Sequence, residues 1–468
     1  MNKKKAGKPS VTFLATYPPR KCGIGTFTHD LARNVSQRYG QELSAKGRVN
    51  IAALNDRPEG YEYGPEVGFE INAQNKLDYR RAADYVNLSD TRVINVQHEY
   101  GIFGGRDGEN LLTFLDVVRK PVISTLHTIL KEPSDSQKEV LEEVCNLSTE
   151  VVVLANKGKQ LLRDVYDVPP EKVSMIPHGA PDVPFLDTSY YKEDYGIEGR
   201  PVILTFGLLG PNKGIEVAIE AMEQVAERFP ESLYIVLGAT HPHVKREKGE
   251  EYRLNLERMV RERGLQNNVV FHEMFVPLDE LVKYLVTSDI YLTPYLSREQ
   301  ISSGTLAYAV ALGNAVVSTP YWYAEELLAD DRGVLVPFED SEATGEAIID
   351  LLANEGKRQA MRRNAYQFGR DMIWHSVAGK YKEKYNEAIG KYKKDAKVVL
   401  GSQIDPSDSL PDLPEVKLNY LKTLTDDTGV YQHATYTVPN RDFGYTTDDN
   451  ARAAIVALNQ WKLFGDES

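Results

Sequence analysis

Short apolar runs rich in β-branched residues alternate along the chain with segments of helical periodicity. In the first part of the chain, the strand candidates are residues 11–15, 49–54, 93–96, 121–126, 151–154 and 173–176. Helical periodicity lies between several of them, for example at 27–38 and 137–145. Strands that are apolar throughout and alternate with helices indicate a parallel sheet covered on both faces.

The same alternation starts again beyond residue 200. The strand candidates are then residues 202–206, 233–237, 269–271, 290–293, 315–318 and 333–336, and the helical segments are 214–228, 252–263, 279–286 and 304–312. This is a second α/β unit of similar size, and the two units meet near residues 181–195. The pattern therefore predicts an α/β fold with two Rossmann-like domains.

The composition of the chain changes after the second unit, and the predicted domain organisation follows that change. Residues 1–185 and 186–372 form the two Rossmann-like domains, and residues 373–398 form a long helix that crosses back to the first. Residues 399–414 are rich in Pro, Ser and Asp, which predicts a linker. Residues 415–468 resume globular patterning and predict the start of a further, partly helical domain.

The net charge of the chain argues against nucleic acid as a partner, and its cysteine content indicates the cellular compartment. The 55 basic and 68 acidic side chains give a net charge of −13, and an acidic protein repels nucleic-acid phosphates. Cys22 and Cys145 are the two cysteines in the sequence, which favours a reducing compartment, and we expect a cytoplasmic protein. No apolar run reaches the roughly 18 residues of a membrane span, although peripheral membrane contact stays open. The sequence carries no signal for an oligomeric state.

A glycine-rich loop follows the first predicted strand. It contains Gly23 and Gly25 and leads directly into a predicted helix. Glycines let the backbone approach a ligand closely, and a helix N-terminus offers free N–H groups to a phosphate. The alternative is a tight turn between strand and helix that binds no ligand.

Two further loops in the second unit are suited to an anion. Ser302, Ser303, Gly304 and Thr305 lie between a strand and a helix, where small residues form a cradle of N–H groups and hydroxyls. Lys213 lies just before a helix-opening glycine, where its ammonium can meet a diphosphate. The alternatives are an ordinary N-cap for the first loop and a solvated surface lysine for the second.

Two histidines, His98 and His127, each follow a strand of the first unit. Either could bond a sugar hydroxyl or assist proton movement, and either could equally be structural. The carboxylates nearest these loops are Glu99 and Glu299, whose spacing forms no evident acid/base pair. The motifs of zincins, zinc fingers and P-loop proteins do not occur, so we expect no bound metal.

Taken together, these motifs resemble the family-four retaining glycosyltransferases of GT-B fold, within the group 1 glycosyltransferases. The matching segments are FGLLGPNKG at 206–214, IPHGA at 176–180 and the block from SGTLAYA to VPFED at 303–340. The resemblance covers about residues 10–390. It implies a nucleotide-sugar-binding second domain that faces an acceptor-binding first domain.

The resemblance also implies roles for individual residues. The donor diphosphate would lie near Lys213 and residues 302–305, with the glycine loop of the first domain closing over it. His127 occupies the position of the family histidine that meets the donor hexose. Glu325 or Glu326 would lie near the nucleotide end or stabilise the loop.

The implied chemistry is hexosyl transfer with retention of the anomeric configuration. The donor is a nucleotide-diphospho-sugar, with mannose from GDP-mannose as the first guess, and the acceptor is a glycan, oligosaccharide or glycolipid. No cofactor beyond the donor is implied. The candidate catalytic residues are His127, His98 and Lys213, and the reaction would depend on positioning and on stabilising the leaving diphosphate.

The sequence departs from the family pattern at three positions. Leu208 stands where the family usually has an arginine, and Gln300 and Tyr308 stand where it has two glutamates. Gln300 could still bond a sugar hydroxyl, and Glu299 adjoins it. Two alternatives stay open: a GT-B nucleotide-sugar epimerase and a non-catalytic nucleotide-sugar-binding protein, the second of which Leu208 and Tyr308 make possible.

The end of the chain carries a second, shorter resemblance. Residues 433–455 are similar to the start of an α-helical toroid domain that is found beside some of these transferases. An apolar helix is predicted within this part, at 450–464.

Overall fold

The computed structural model describes residues 10–44, 48–395, 418–435 and 438–465. The chain divides into two compact units, Met1–Ala396 and Lys397–Ser468. The predicted linker at 399–414 lies outside the described residues.

The first sheet contains, within the described residues, seven parallel strands in the order β3-β2-β1-β4-β5-β6-β7. They are β1 (Val11–Ala15), β2 (Val49–Asn55), β3 (Val67–Asn72), β4 (Val93–His98), β5 (Val122–Leu126), β6 (Glu150–Val153) and β7 (Val173–Met175). The helices that cover this sheet are α1 (Gly23–Arg38), α2 (Lys76–Leu88), α3 (Asn110–Val117), α4 (Asp135–Leu147) and α5 (Asn156–Tyr166). We call the part of the chain built on this sheet the first domain.

The second sheet has six parallel strands in the described part of the chain, in the order β10-β9-β8-β11-β12-β13. They are β8 (Val202–Phe206), β9 (Leu233–Leu237), β10 (Val269–His272), β11 (Ile290–Thr293), β12 (Ala315–Ser318) and β13 (Val334–Leu335). Its helices are α6 (Ile215–Arg228), α7 (Pro242–Lys248), α8 (Glu251–Glu262), α9 (Leu278–Thr287), α10 (Gly304–Leu312), α11 (Trp322–Leu327), α12 (Ser341–Ala353) and α13 (Glu355–Gly369). This part of the chain is the second domain.

Each sheet has a point where the direction of strand succession reverses. β2 and β4 flank β1 in the first sheet, and β9 and β11 flank β8 in the second. In open parallel sheets, ligands bind in the crevice beyond the carboxyl ends of the strands at such a point. The predicted fold of two Rossmann-like domains is therefore confirmed, and it places the loops after β1 and β8 at two crevices.

The apolar strands are buried on both faces because helices cover each sheet. All five residues of β1 are buried, as are those of β9, β11 and β12. Helices begin where the local sequence caps them: Ser134 and Gln137 form a capping box at the start of α4. The cores thus follow from continuous apolar strands paired with amphipathic helices.

A long helix, α14 (Trp374–Asp395), packs against the first domain after the second has been completed. Tyr381 and Tyr385 on this helix are fully buried in the core that also contains residues of α1 and β1. The guanidinium of Arg38 on α1 donates two hydrogen bonds to the carbonyl of His375, at 2.7 and 3.1 Å. The helix therefore connects the end of the second domain to the first.

One strand of the first sheet, β3, is missing from the sequence-based expectations. Its first four residues alternate between half-buried and exposed, Ile71 is buried, and Gly68 lies within the strand. It pairs with β2 at the edge of the sheet, with a register irregularity between Ile51 and Ala52. An edge strand with one solvated face lacks the continuous apolar pattern that identified the other strands.

The second unit is described by itself. It contains α15 (Asn419–Thr423), the short antiparallel pair β14 (Ala434–Thr435) and β15 (Val438–Pro439), and α16 (Thr447–Phe464). The predicted partly helical extension is confirmed, although its long helix begins before residue 450 because the Thr446 hydroxyl caps it by accepting from the Asp449 N–H. Across the described residues, every helix is too short or too polar to serve as a membrane span.

Candidate functional site

A cavity of about 440 Å³ is lined by residues of both domains. From the first domain it is lined by Cys22, Gly23, Ile24, Thr26, Phe27, Glu99, His127, Thr128 and His178. From the second domain it is lined by, among others, Gly207, Leu208, Lys213, Gly238, Met274, Phe275, Ser302, Gly304, Thr305 and Tyr308. The loops after β1, β5, β8 and β11 thus converge on one space.

The start of α1 forms part of the first wall. Its N-cap, Cys22, has extended backbone geometry and makes no side-chain cap hydrogen bond within the described residues. The first N–H groups of a helix have no partner inside the helix, so they are free to meet a ligand. Of the two predicted loop glycines, Gly23 lines the cavity, whereas Gly25 is buried against the backbone of Tyr17. The geometry therefore does not favour a contact between Gly25 and a nucleotide-sugar donor.

The start of α10 faces the same cavity from the second domain. Ser303 caps the helix by accepting from the Leu306 N–H at 3.3 Å, and it is buried instead of lining the space. Its hydroxyl lies 3.1 Å from that of Thr305, which lies 3.0 Å from the phenol of Tyr295. Ser302, Gly304 and Thr305 line the cavity, so most of the predicted cradle is exposed to a ligand.

Lys213 lies on the loop between β8 and α6. Its ammonium sits 3.8 Å above the centroid of the Tyr295 ring, which holds it at the cavity. The next residue, Gly214, has φ +62°, and a Cβ there would lie 2.0 Å from the carbonyl oxygen of Pro294. Only glycine fits this turn, and the turn fixes where Lys213 points. Among the described residues that line the cavity, Lys213 is the one Lys or Arg.

Hydrogen bonds join the two domains beside the cavity. The Ser302 hydroxyl donates to the carbonyl of His127 at 2.9 Å, and the Tyr308 phenol donates to the Asp30 carboxylate at 3.3 Å. Tyr308 lines the cavity and contacts the opposite domain. The walls of the cavity are therefore held together by direct polar contacts.

Glu326 makes a further bridge between the domains. Its carboxylate accepts from the backbone N–H of Asn156 at 2.9 and 3.0 Å and from the Asn156 amide at 2.7 Å. These bonds cap α5 of the first domain with a side chain of the second. Glu326 thus stabilises the contact between the domains, a role that differs from the two expected of it, a place near the nucleotide end and stabilisation of the loop.

The imidazole of His127 lines the cavity in a defined hydrogen-bonding state. Its Nε2 lies 2.8 Å from the Gln97 side-chain oxygen, and the amide nitrogen of Gln97 donates to Asn95. Because that oxygen can only accept, Nε2 carries the proton and Nδ1 carries a lone pair. Burial, aided by the neighbouring His178 and His98, lowers the pKa of His127 to about 3. The ring is therefore neutral near pH 7.

His178 and Phe27 complete this side of the cavity. The Phe27 ring packs edge-on against His127 and His178, with centroids 4.8 and 4.9 Å apart. Burial lowers the pKa of His178 to about 4. Its Nδ1 lies 2.7 Å from the carbonyl oxygen of Gly179, which orients the ring. Both imidazoles at the cavity are thus uncharged.

His98 lies away from the cavity, contrary to its expected place. It is fully buried between the rings of Tyr100 and Phe103, with centroids at 5.2 and 5.9 Å. Neither ring nitrogen has a hydrogen-bond partner among the described residues, and burial lowers the pKa to about 4. Neighbouring strand residues point to opposite faces, so when Gln97 reaches His127, His98 faces the core.

Three predicted donor contacts also lie outside the cavity lining. Glu299 is exposed, and Gln300 uses its amide to bond the carbonyl of Ser302 at 2.9 Å. The Glu325 carboxylate lies 3.8 Å from the exposed Arg298 guanidinium. In this structure these residues surround the α10 loop without facing the cavity, so direct donor contacts by them have no geometric support.

Glu99 and Thr128 form a polar pair on the first-domain wall. The Thr128 hydroxyl donates to Glu99 Oε2 at 2.6 Å, and the Tyr100 N–H donates to Oε1 at 3.0 Å. Burial raises the pKa of Glu99, although these two hydrogen bonds oppose the shift. The pair adds hydrogen-bond acceptors to a wall that is otherwise apolar or neutral.

Sequence reasoning missed Gln97, Tyr295 and Asp30 as residues of the site. Gln97 could have been noticed, because it alternates with His98 at the end of β4. Tyr295 follows β11 by two residues, close to the predicted anion loop. Asp30 carries no such signal, since it lies within α1 and its partner Tyr308 is 278 residues away in sequence.

Two helix N-termini and one ammonium group around a single cavity are suited to bind a diphosphate. The neutral imidazoles can accept hydrogen bonds from hydroxyl groups. The described lining residues thus provide electrostatic stabilisation of an anion together with recognition of hydroxyls.

Comparison with known proteins gives a family match for the second domain and more distant likenesses for longer parts of the chain. Residues 187–368, which carry Lys213 and the α10 loop, match the family of glycosyl transferases group 1. The chain is 25% identical over 299 residues to the D-inositol 3-phosphate glycosyltransferase of Corynebacterium glutamicum, covering 58% of this chain and 68% of that protein. It is 28% identical over 176 residues to the GDP-mannose-dependent alpha-(1-6)-phosphatidylinositol monomannoside mannosyltransferase of Mycolicibacterium smegmatis, covering 36% of this chain and 43% of that protein.

Solved structures share the fold. Sucrose-phosphate synthase from Thermosynechococcus elongatus superposes on this chain with a TM-score of 0.66 and 16% sequence identity. The superposition covers 82% of this chain and 100% of that chain. At this identity the likeness concerns the fold alone, which is GT-B: two facing Rossmann-like domains with the cavity between them.

Proposed function

We propose that this chain, a group 1 glycosyltransferase by its second domain, transfers a hexose from a nucleotide-diphospho-sugar to a hydroxyl of a glycan, oligosaccharide or glycolipid, with retention of anomeric configuration. One observation carries the proposal. The starts of α1 and α10, one from each domain, line a single cavity together with Lys213. Such an arrangement suits a diphosphate that spans the two domains.

The proposed catalysis is electrostatic. When the bond between the sugar and the diphosphate breaks, negative charge grows on the leaving diphosphate. The Lys213 ammonium and the N–H groups at the two helix starts, which line the same cavity, would stabilise that charge. In a retaining reaction of this type, the acceptor hydroxyl attacks from the same face, and its proton passes to the leaving phosphate oxygen. No protein base is then needed for that step.

His127 has a binding role in this scheme. Its neutral ring offers the Nδ1 lone pair, because Nε2 is committed to Gln97. That lone pair can accept a hydrogen bond from a hydroxyl of the donor hexose. The residue would orient the sugar and would not act as an acid.

Mannose from GDP-mannose is the proposed donor sugar and nucleotide. The proposal draws support from the relative of Mycolicibacterium smegmatis, whose name states GDP-mannose dependence. Both cysteines of the chain are free thiols, which accords with the proposed cytoplasmic location.

A donor panel tests the proposal. The purified full chain is mixed in turn with GDP-mannose, UDP-glucose and ADP-glucose, first in a thermal-shift assay and then with a mixture of oligosaccharide acceptors. We expect one donor to raise the melting temperature, because it binds the folded state, and to release its nucleoside diphosphate as an α-linked product forms.

The other outcomes separate the alternatives. A sugar epimerised in the absence of any acceptor would point to the epimerase. A donor that binds without turnover would point to the binding protein. A protein that neither binds nor turns over any nucleotide-sugar would contradict the proposed function.

A further inference from the structure

The part of the cavity left for the acceptor carries a carboxyl group and a hydroxyl group. With the diphosphate assigned to Lys213 and the helix starts, the remaining first-domain polar side chains include Glu99 and Thr128. Glu99 Oε2 accepts from Thr128, and Oε1 accepts from the Tyr100 N–H. A carboxylate has about four acceptor positions, so these two hydrogen bonds leave about two of them for a ligand in the cavity that Glu99 lines.

Charge decides what such a wall can bind. A sugar or polyol presents O–H donors, which match the open lone pairs of Glu99 and of the Thr128 hydroxyl. A phosphate presents acceptors and negative charge, and it would need a cation or an array of donors. The one Lys or Arg among the described lining residues is Lys213, which belongs to the donor side.

We infer that the acceptor site takes an uncharged sugar or polyol, held through its hydroxyls by Glu99 and Thr128, and rejects an acceptor that carries a phosphate beside the reacting hydroxyl. This inference rests on the proposed glycosyl transfer and specifies its acceptor class. Glu99 is then a specificity-determining residue. The acceptor preference of this chain would then differ from that of the Corynebacterium glutamicum relative, whose name states a phosphorylated substrate.

Matched acceptor pairs test the inference in the full-length protein. Each pair is a neutral compound and its phosphate: mannose and mannose 6-phosphate, and inositol and inositol 3-phosphate. With the donor that the protein turns over, we expect kcat/KM for the best neutral acceptor to exceed that for its phosphorylated partner by at least about tenfold.

Variants connect the preference to the residue. Glu99→Gln keeps the shape but replaces a hydrogen-bond acceptor by a donor, so we expect kcat/KM for the neutral acceptor to fall about tenfold and the pairwise preference to shrink. Thr128→Val is the second variant, with a loss in the same direction. The control is Glu132→Gln, a carboxylate that is 82% exposed, which should change nothing.

The readouts keep the two proposals apart. Thermal shift with the donor and hydrolysis of the donor without acceptor report on the proposed function, whereas the ratio of kcat/KM within each acceptor pair reports on Glu99 and Thr128. The control variant Glu132→Gln should leave all of these unchanged. A phosphorylated acceptor used as well as its neutral partner would overturn the inference, as would an unchanged preference in Glu99→Gln. The absence of transfer to every neutral acceptor, in a protein that hydrolyses the donor, would overturn it as well.

Discussion

The two walls of the cavity are built from the same kind of structure but carry different chemistry. Each wall consists of loops at the carboxyl ends of a parallel sheet, at the point where strand order reverses. The second-domain wall presents Lys213 and the hydroxyls of Ser302 and Thr305, whereas the first-domain wall presents neutral imidazoles and Glu99. The comparison shows that the loop side chains determine which chemical groups each wall presents, while the two sheets position the loops.

The difference also concentrates the electrostatics in one residue. Leu208 adds an aliphatic side chain to this wall, and Lys213 is the one Lys or Arg among the described lining residues. Anion binding on the second-domain wall then depends on Lys213 and the helix starts. Four predictions, from the largest expected effect to the smallest, test this division of roles between the walls.

Removing the single ammonium tests the second-domain wall. We expect Lys213→Ala to lower kcat by about a thousandfold, because charge developing on the leaving diphosphate loses its cation. Steady-state release of the nucleoside diphosphate measures the effect. Lys159→Ala, at an exposed lysine outside the cavity lining, is the control. A Lys213→Ala enzyme within threefold of wild type would remove this residue from the diphosphate site.

Removing the imidazole tests the first-domain wall. We expect His127→Ala to lower kcat/KM by about a hundredfold through lost orientation of the sugar. Since burial lowers the pKa of His127 to about 3, the wild-type rate should show no step from this residue between pH 5.5 and 8. A step near pH 6.5 that disappears in His127→Asn would show that the ring titrates during turnover, contrary to the account.

The contact between the walls is tested at Tyr308. Its phenol donates to Asp30 across the cavity, and we expect Tyr308→Phe to raise the donor KM about fivefold, the effect of losing one hydrogen bond of about 1 kcal/mol. Tyr195→Phe is the matched control, because its phenol bonds Glu280 within the second domain. An equal change in donor KM in the two variants would show that the hydrogen bond between Tyr308 and Asp30 does not help to form the cavity.

The histidine that faces away from the cavity should affect stability and not activity. Because burial holds the pKa of His98 at about 4 in the folded state, against 6.5 as its ordinary value, the unfolded chain takes up more protons below pH 6.5. Stability is then lost as the pH falls from 6.5 toward 4.

Replacement by an apolar ring removes this contribution. When the pH is lowered from 7.5 to 5.5, the free energy of unfolding of the wild type should fall by about 1 kcal/mol more than that of His98→Phe. Urea denaturation at the two pH values measures both changes. The exposed His375, replaced by Asn, serves as the control. A tenfold loss of activity in a well-folded His98→Phe enzyme would return this residue to the list of catalytic candidates.

Much of the fold could be predicted because buried parallel strands are apolar throughout. The strands β8, β9, β11 and β12 have the predicted bounds. The edge strand β3 could not be found in this way, since one of its faces is solvated. Pattern thus identifies the interior of each sheet better than its edge.

The site could be predicted as a set of loops but not as a set of side chains. Lys213, Ser302 and Gly304 reach the cavity because parallel strands end at the same edge. Which of two adjacent strand residues faces the cavity depends on the face of the sheet to which each side chain points. At the end of β4, His98 faces the core, whereas Gln97 reaches His127. Local pattern contains no information on such choices.

Contacts between the domains are also beyond local pattern. Ser302 bonds the His127 carbonyl 175 residues away in sequence, and Glu326 caps α5 from 170 residues away. These pairs form only once both sheets are complete and facing each other. The second contact gives Glu326 a structural partner in the first domain.

A crystal structure of the full chain with the nucleoside diphosphate of its donor tests the central claim most directly. The account predicts that the diphosphate lies within hydrogen-bonding distance of the N–H groups at the start of α1 and of α10, with the Lys213 ammonium beside it. A diphosphate bound outside this cavity, or in contact with one domain and far from Lys213, would contradict it.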